Sequence, residues 1–181
     1  MKLTIEEIIR DSENAFRQFA SFCESVPDPE FFREKNGSWS IAQHLQHLII
    51  STKTSTAAYA LPKFILRVVA GKPNRASRSY DELVSKYQKK LAEGGKARGR
   101  YIPGKLTSKS GKEKMIDKWF AVTGTYLMAI KKNCKESQLD RFIVPHPLLG
   151  KITLRELGYF NIYHTKHHLK NIQSRRSSSE N

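Results

Sequence analysis

Two cysteines, Cys23 and Cys134, are all that the 181 residues contain. They share no CxxC spacing and no local metal pattern, which excludes a thioredoxin-like redox site and a zinc ribbon and leaves two reduced helix residues. Long apolar runs are missing too. The most hydrophobic stretch, "AAYALPKFILRVVAG", is interrupted by Pro62, Lys63 and Arg67, far short of the roughly 20 apolar residues of a membrane span. The first residues, "MKLTIEEIIRDSENAF", place acids where a secretory signal needs an unbroken apolar core. No membrane association and a cytoplasmic location are therefore expected. Strand punctuation is almost absent, and no internal repeat is seen.

Acidic side chains are also in short supply, 17 against 32 Lys and Arg, for a net charge of +15. The excess is concentrated: residues 61–118 hold 16 basic and 5 acidic side chains. Such a field attracts nucleic acid, anionic lipid or a small anionic substrate. No helix-turn-helix, RNP or zinc-finger pattern accompanies it, and the aromatics interleaved with the charge are only Tyr80, Tyr87 and Tyr101. A solubilising surface is the simpler reading, with polyanion binding through 61–118 as an alternative.

What the chain does have is helix punctuation. Thr4-Ile-Glu-Glu7, Ser40-Ile-Ala-Gln43, Ser79-Tyr-Asp-Glu82 and Thr153-Leu-Arg-Glu156 all have the capping-box form, in which a hydroxyl accepts from a backbone amide and the fourth side chain reaches back. They open helices running to about Ser25, Ala60, Gly94 and Ser174, with Pro62 kinking or restarting the second before Gly71. A further helix is expected from Lys112 to about Lys135. Residues 96–111 mix Gly, Pro, Ser and basic residues and read as a long mobile loop. "PHPLLGKITLREL" reads as a connection bounded by proline. The expected fold is all-α, an antiparallel four-helix bundle with an extra short helix and a long basic loop. Residues 1–174 form one domain and 175–181 a disordered tail. Trp39 and Trp119 read as core anchors.

Three of the six histidines lie within "HTKHH", His164, His167 and His168. At about 100° per residue, His168 and His164 fall about 40° and 80° from the centre of the apolar arc set by Leu154, while His167 falls about 140° away. His164 and His168, four apart, therefore share the edge of the buried face and can converge on one point. That spacing suits two imidazole nitrogens on one metal. A third ligand must come from "WSIAQHLQHLIIS". Periodicity alone favours His44 there, at about 80° from the inward arc against about 140° for His47. The small residues Ser51, Thr54 and Ala58 beside His47 favour it instead if that face lines a cavity. The helical wheel leaves the choice open.

The tryptophan of "WSIAQHLQHL", followed eight positions later by His47, resembles the second-helix signature of the DinB/YfiT-like superfamily. The closing "HPLLGKITLRELGYFNIYHTKHHLKNI" resembles that family's last connection and helix. The resemblance spans the helical plan and implies a DinB-like four-helix bundle holding a divalent metal on three histidines. Carried over by position, these are His47, His164 and His168, with His44 and His167 as neighbours. Gln43 and Asn171 depart from residues that many relatives carry, and the basic loop from Lys96 to Lys118 looks peculiar to this chain.

The resemblance further implies a metal-dependent enzyme, a transferase activating a low-molecular-weight thiol for attack on a small electrophile, and a possible homodimer. A non-catalytic metal-binding bundle is the alternative. Three imidazoles suit zinc, nickel, iron and copper alike, with zinc or nickel placed first. No carboxylate is marked as a general base, and Glu156 belongs to the helix cap.

Overall fold

A computed structural model describes residues 2–34 and 37–177, the Ser177 side chain excepted. In chain order the elements are α1 (Ile5–Ser25), α2 (Asp28–Phe31), α3 (Ile41–Ala60), α4 (Lys63–Ala70) and α5 (Tyr80–Ala92), then α6 (Lys112–Asn133), α7 (Glu136–Leu139), β1 (Ile143–His146), β2 (Gly150–Thr153) and α8 (Leu154–Ser177). The four expected capping boxes form. Thr4, Ser40 and Ser79 each accept from the backbone amide three residues on, and Glu7, Gln43 and Glu82 reach back. At the start of α8 the Glu156 amide donates to Thr153 Oγ1 at 3.2 Å and the Thr153 amide donates to Glu156 at 2.9 Å. Pro62 ends α3 and starts α4, which stops at Gly71 with φ 85°, a conformation that glycine reaches without a Cβ clash.

The long helices α1, α3, α6 and α8 form the four-helix bundle. α1 packs on α6 and α8, and α3 packs on the same two partners, so α1 and α3 face each other across a diagonal. Cross-bonds give the directions. Lys112, opening α6, donates to the Glu24 carbonyl at the end of α1, so these two run antiparallel. Tyr59, near the end of α3, donates to the Leu154 carbonyl at the start of α8, so these are antiparallel as well. Arg155, early in α8, donates to the Leu3 carbonyl, and Arg176, late in α8, pairs with Glu30 just beyond α1; α1 and α8 are therefore parallel. The order is up, down, down, up. The expectation of antiparallel neighbours holds for two of the contacts, while α3 and α6 run the same way because residues 61–111 return the chain to the starting end.

The core is one cluster drawing on residues from Ile8 to Ile172. At its centre Phe16 meets Trp119 and Tyr126 edge-on at 5.2 and 5.6 Å, and Tyr126 meets Tyr59 at 5.6 Å. Trp119 is the core anchor its sequence suggests, fully buried with its indole N–H donated to the Phe16 carbonyl. Gly158 lets α8 approach closely: a Cβ there would stand 2.7 Å from Ile8 Cγ2. Cys23 and Cys134 are buried and free, and burial raises the Cys23 thiol well above its ordinary value.

Three local features differ from the sequence reading. The proline-bounded connection contains an antiparallel hairpin, β1–β2, with Ile143 opposite Thr153 and His146 opposite Gly150. Pro145 inside β1 hides the strand from pattern reading, since proline is tolerated only on an edge. The loop 96–111 contains two short 3₁₀ turns, Gly99–Tyr101 and Ser108–Ser110. The last helix continues through Arg175 and Arg176 to Ser177, so the expected tail is helical at its start; residues 178–181 lie outside the described residues. No helix among the described residues is long and apolar enough to cross a membrane.

Candidate metal centre

His47 lies in the second turn of α3, and His164 and His168 lie one above the other on α8, the helix that runs antiparallel to it. His47 Nε2 stands 3.1 Å from His164 Nε2, and His168 Nε2 stands 3.0 Å from the same atom. Two nitrogens bound to one ion at about 2.0–2.1 Å, with angles between about 90° and 110°, are separated by about 2.9–3.4 Å. The two printed separations therefore match those of donors that share a cation, and one ligand atom from each of the three histidines lies within 4.8 Å of the others. The three rings are 6%, 4% and 8% exposed, so such a cation would be almost enclosed by protein.

The outward nitrogens orient the rings. His47 Nδ1 lies 2.7 Å from the Tyr101 carbonyl oxygen, an acceptor only, which places the proton on Nδ1 and the lone pair on Nε2. His168 Nδ1 lies 2.7 Å from His44 Nδ1. His164 Nδ1 is 3.5 Å from Ser51 Oγ, and its ring stacks on Phe160 at 4.7 Å. Ligating histidines commonly make such outer bonds, which fix the tautomer and the ring plane.

Electrostatics keep the centre neutral. Burial depresses His164 and His168 well below 6.5, and the neighbouring rings depress them further. Burial also lowers His47, against the opposing effect of its bond to the Tyr101 carbonyl. Imidazoles must be neutral to bind a metal, so the donor set suits a divalent cation.

The structure thus brings together the three histidines singled out by position, and it places the other two nearby. His44 is 5% exposed and touches His168. His167 is half-buried, its ring nitrogen paired with Asn171 at 3.0 Å. The helical wheel favoured His44 because it saw only the apolar arc of one helix. His47 lies beside the 3₁₀ turn at residues 99–101, which packs on α3 and meets the ring through the Tyr101 carbonyl. Trp39 differs from the sequence reading: it is half-buried and lies against the site, 5.1 Å from His47, 5.6 Å from His44 and stacked at 6.5 Å on His168. The Tyr101 carbonyl has no side-chain signature, and nothing in the sequence pattern marked it.

The family model of the DinB superfamily matches residues 13–172. The chain belongs to the DinB superfamily. Among solved structures it is similar to one described as "YfiT from Bacillus subtilis is a probable metal-dependent hydrolase with an unusual four-helix bundle topology". The TM-score is 0.59 at 19% identity, covering 96% of this chain and 87% of that one. At that identity the likeness establishes a shared fold. No curated protein matches this DinB chain.

Proposed function

We propose that this DinB protein is a metal-dependent enzyme in which His47, His164 and His168 hold a divalent ion, zinc or nickel before iron or copper. Its proposed reaction is the attack of a low-molecular-weight thiol on a small electrophile. The observation that carries the reading is the convergence of three buried imidazoles, with His47 Nε2 and His168 Nε2 each 3.0–3.1 Å from His164 Nε2 and all three donor atoms within 4.8 Å of one another. Three protein donors leave a divalent ion with open positions, where it lowers the pKa of a bound thiol or water and polarises a substrate.

The protein's own contributions are positional. The Tyr101 carbonyl and His44 hold the rings of His47 and His168 at their outer nitrogens, and the Trp39 ring packs against both. Glu156 is committed elsewhere, to Arg75, Arg78 and the α8 cap. A second reading, hydrolysis with water as the nucleophile, is favoured by the description of the similar Bacillus subtilis structure. Both readings use the same three histidines.

The polyanion alternative finds less support. Several cations of the 61–118 region are engaged internally: Arg75 and Arg78 with Glu156, Lys86 with the Leu149 carbonyl, and Lys112 with the Glu24 carbonyl.

The test is elemental analysis of protein purified without an affinity tag or chelator, followed by assay of the loaded enzyme with an electrophile in the presence and absence of a thiol. About one metal per chain and a thioether product support the transferase reading. A product formed equally without thiol moves the assignment to hydrolysis. Protein that takes up no metal on titration removes both.

A further inference from the structure

Seven large apolar side chains are exposed among the described residues, and four of them, Leu61, Phe64, Val68 and Val69, fall between the end of α3 and the end of α4. Phe64, Val68 and Val69 are 71%, 82% and 68% exposed. At about 100° per residue α4 divides into three sides. Leu66 and Ala70 form its buried side, Lys63 and Arg67 one flank, and Phe64, Ile65, Val68 and Val69 an arc turned away from the core. A helix with so little polar surface is ordinarily buried, whereas this one packs against β1 and leaves its widest apolar arc in water. Exposed apolar residues scattered singly are normal, but a contiguous patch marks a contact surface.

The charge around the patch is of one sign. Lys63 Nζ donates to the Tyr59 carbonyl at 3.1 Å, the Arg67 guanidinium lies over the Phe142 ring at 5.3 Å, and Lys151 Nζ donates to the Ala70 carbonyl at 2.8 Å. Lys72 is exposed just beyond α4. None of these contacts is with a carboxylate, so they hold the cations at the edge of the patch without cancelling their charge. The sequence contains no Asp or Glu between Glu34 and Asp81, and Glu136 and Asp140, which follow α6, are engaged by Arg155. A second copy docking through this face would set these cations against their own kind. The patch, at a few hundred Å², also falls short of the roughly 800 Å² that each partner buries in a standard interface. An anionic surface over an apolar interior complements both the cations and the exposed arc.

We infer that α4 docks the protein on an anionic bilayer, with Phe64, Val68, Val69 and Leu61 entering the boundary between headgroups and acyl chains and Lys63, Arg67, Lys72 and Lys151 lying against the lipid phosphates. The helix lies in the plane of the interface, since its 8 residues are far too few to span a membrane. The missing apolar run excludes a span and does not bear on this surface mode. His47 stands thirteen residues before Ala60, the last of α3, which is about 20 Å along the helix axis. Docking through α4 therefore leaves the histidine triad clear of the lipid.

Co-sedimentation of the full-length protein with vesicles of phosphatidylcholine alone, or of phosphatidylcholine mixed with phosphatidylglycerol, tests this. Partitioning onto the anionic vesicles is expected to exceed that onto the neutral ones at least about tenfold and to weaken as salt rises. Phe64→Ser/Val68→Ser should lower it at least about tenfold, with helical circular dichroism and metal content unchanged. Lys63→Gln/Lys72→Gln, which keeps the apolar arc, should lower it several-fold on the anionic vesicles. Equal partitioning onto both kinds of vesicle overturns the role of the cations, and partitioning that survives in the serine variant overturns the assignment to α4. No partitioning at all overturns the inference. So does a dimer in sedimentation velocity that the serine variant converts to monomer, because a second copy then covers the patch.

Discussion

At its N-terminal end α8 buries Arg155 and Glu156, 4% and 0% exposed, and further along the same helix it buries His164 and His168, 4% and 8% exposed. The first pair stays charged. Glu156 accepts from both terminal nitrogens of Arg75 at 2.8 Å, from the Arg78 amide at 2.9 Å and from the Thr153 amide. Burial alone would raise its pKa, but those bonds bring it below 4.5. Arg155 is matched by Asp140 at 2.8 Å and Glu136 at 2.6 Å. Among the described residues no carboxylate is hydrogen-bonded to His164 or His168, and burial lowers the pKa of both rings. One end of the helix has every charge answered from within the chain. The other has imidazole nitrogens converging on a point and a buried His44 Nε2 with no hydrogen-bond partner among the described residues.

The largest effect expected from breaking this contrast is on metal content. His164→Ala removes the nitrogen that lies 3.0–3.1 Å from both others and should reduce the metal from about one per chain to near zero, read by elemental analysis, with helical circular dichroism retained. Acid should separate the two ends of α8 in metal-free protein. The folded-state values of His164 and His168 lie below 6.5, so the unfolded chain binds more protons beneath that pH. Stability is full above 6.5 and declines as pH falls below it, by up to about 1.4 kcal/mol per pH unit for each ring that resists protonation.

Glu156, lowered from 4.5, contributes stability that is present above 4.5 and lost as pH falls further. Urea melts at pH 7.5, 5.5 and 3.5 should show the first loss before the second; a bound metal should raise stability at pH 7.5 without removing the first loss, because the protons that cause it bind the unfolded chain. Glu156→Gln should cost about 3 kcal/mol, a drop in Tm of about 6–12 °C, with metal stoichiometry intact. The smallest effect belongs to Gly158→Ala, where the new methyl meets Ile8 Cγ2 at 2.7 Å. Overpacking outweighs the gain in helix propensity by about 1 kcal/mol, and Tm should fall by about 2–4 °C.

The two ends of α8 also differed in how legible they were. The cap at Thr153 and Glu156 could be read from four residues, because a capping box is a local bond pattern. Its guanidinium partners could not, since Arg75 and Arg78 lie some 80 positions away along the chain. Likewise the i, i+4 spacing put His164 and His168 on one face, but the partner from α3 depended on the family resemblance. Both His44 and His47 are buried, and a wheel drawn for one helix has no record of the turn at residues 99–101 that meets the second.

Local chemistry in the sequence was therefore enough to determine where α1, α3, α5 and α8 begin, that the chain folds as a helical bundle, and that His164 and His168 share one face of α8. These follow from bonds and periodicities confined to a few residues. Only the tertiary structure decided that α3 and α6 run parallel, that Trp39 lies against the imidazoles and that a backbone carbonyl at Tyr101 orients His47. It alone left His44 Nε2 buried with no hydrogen-bond partner among the described residues. Each of these depends on segments distant in sequence meeting at the same place, and contacts of that kind leave no periodic trace in either partner.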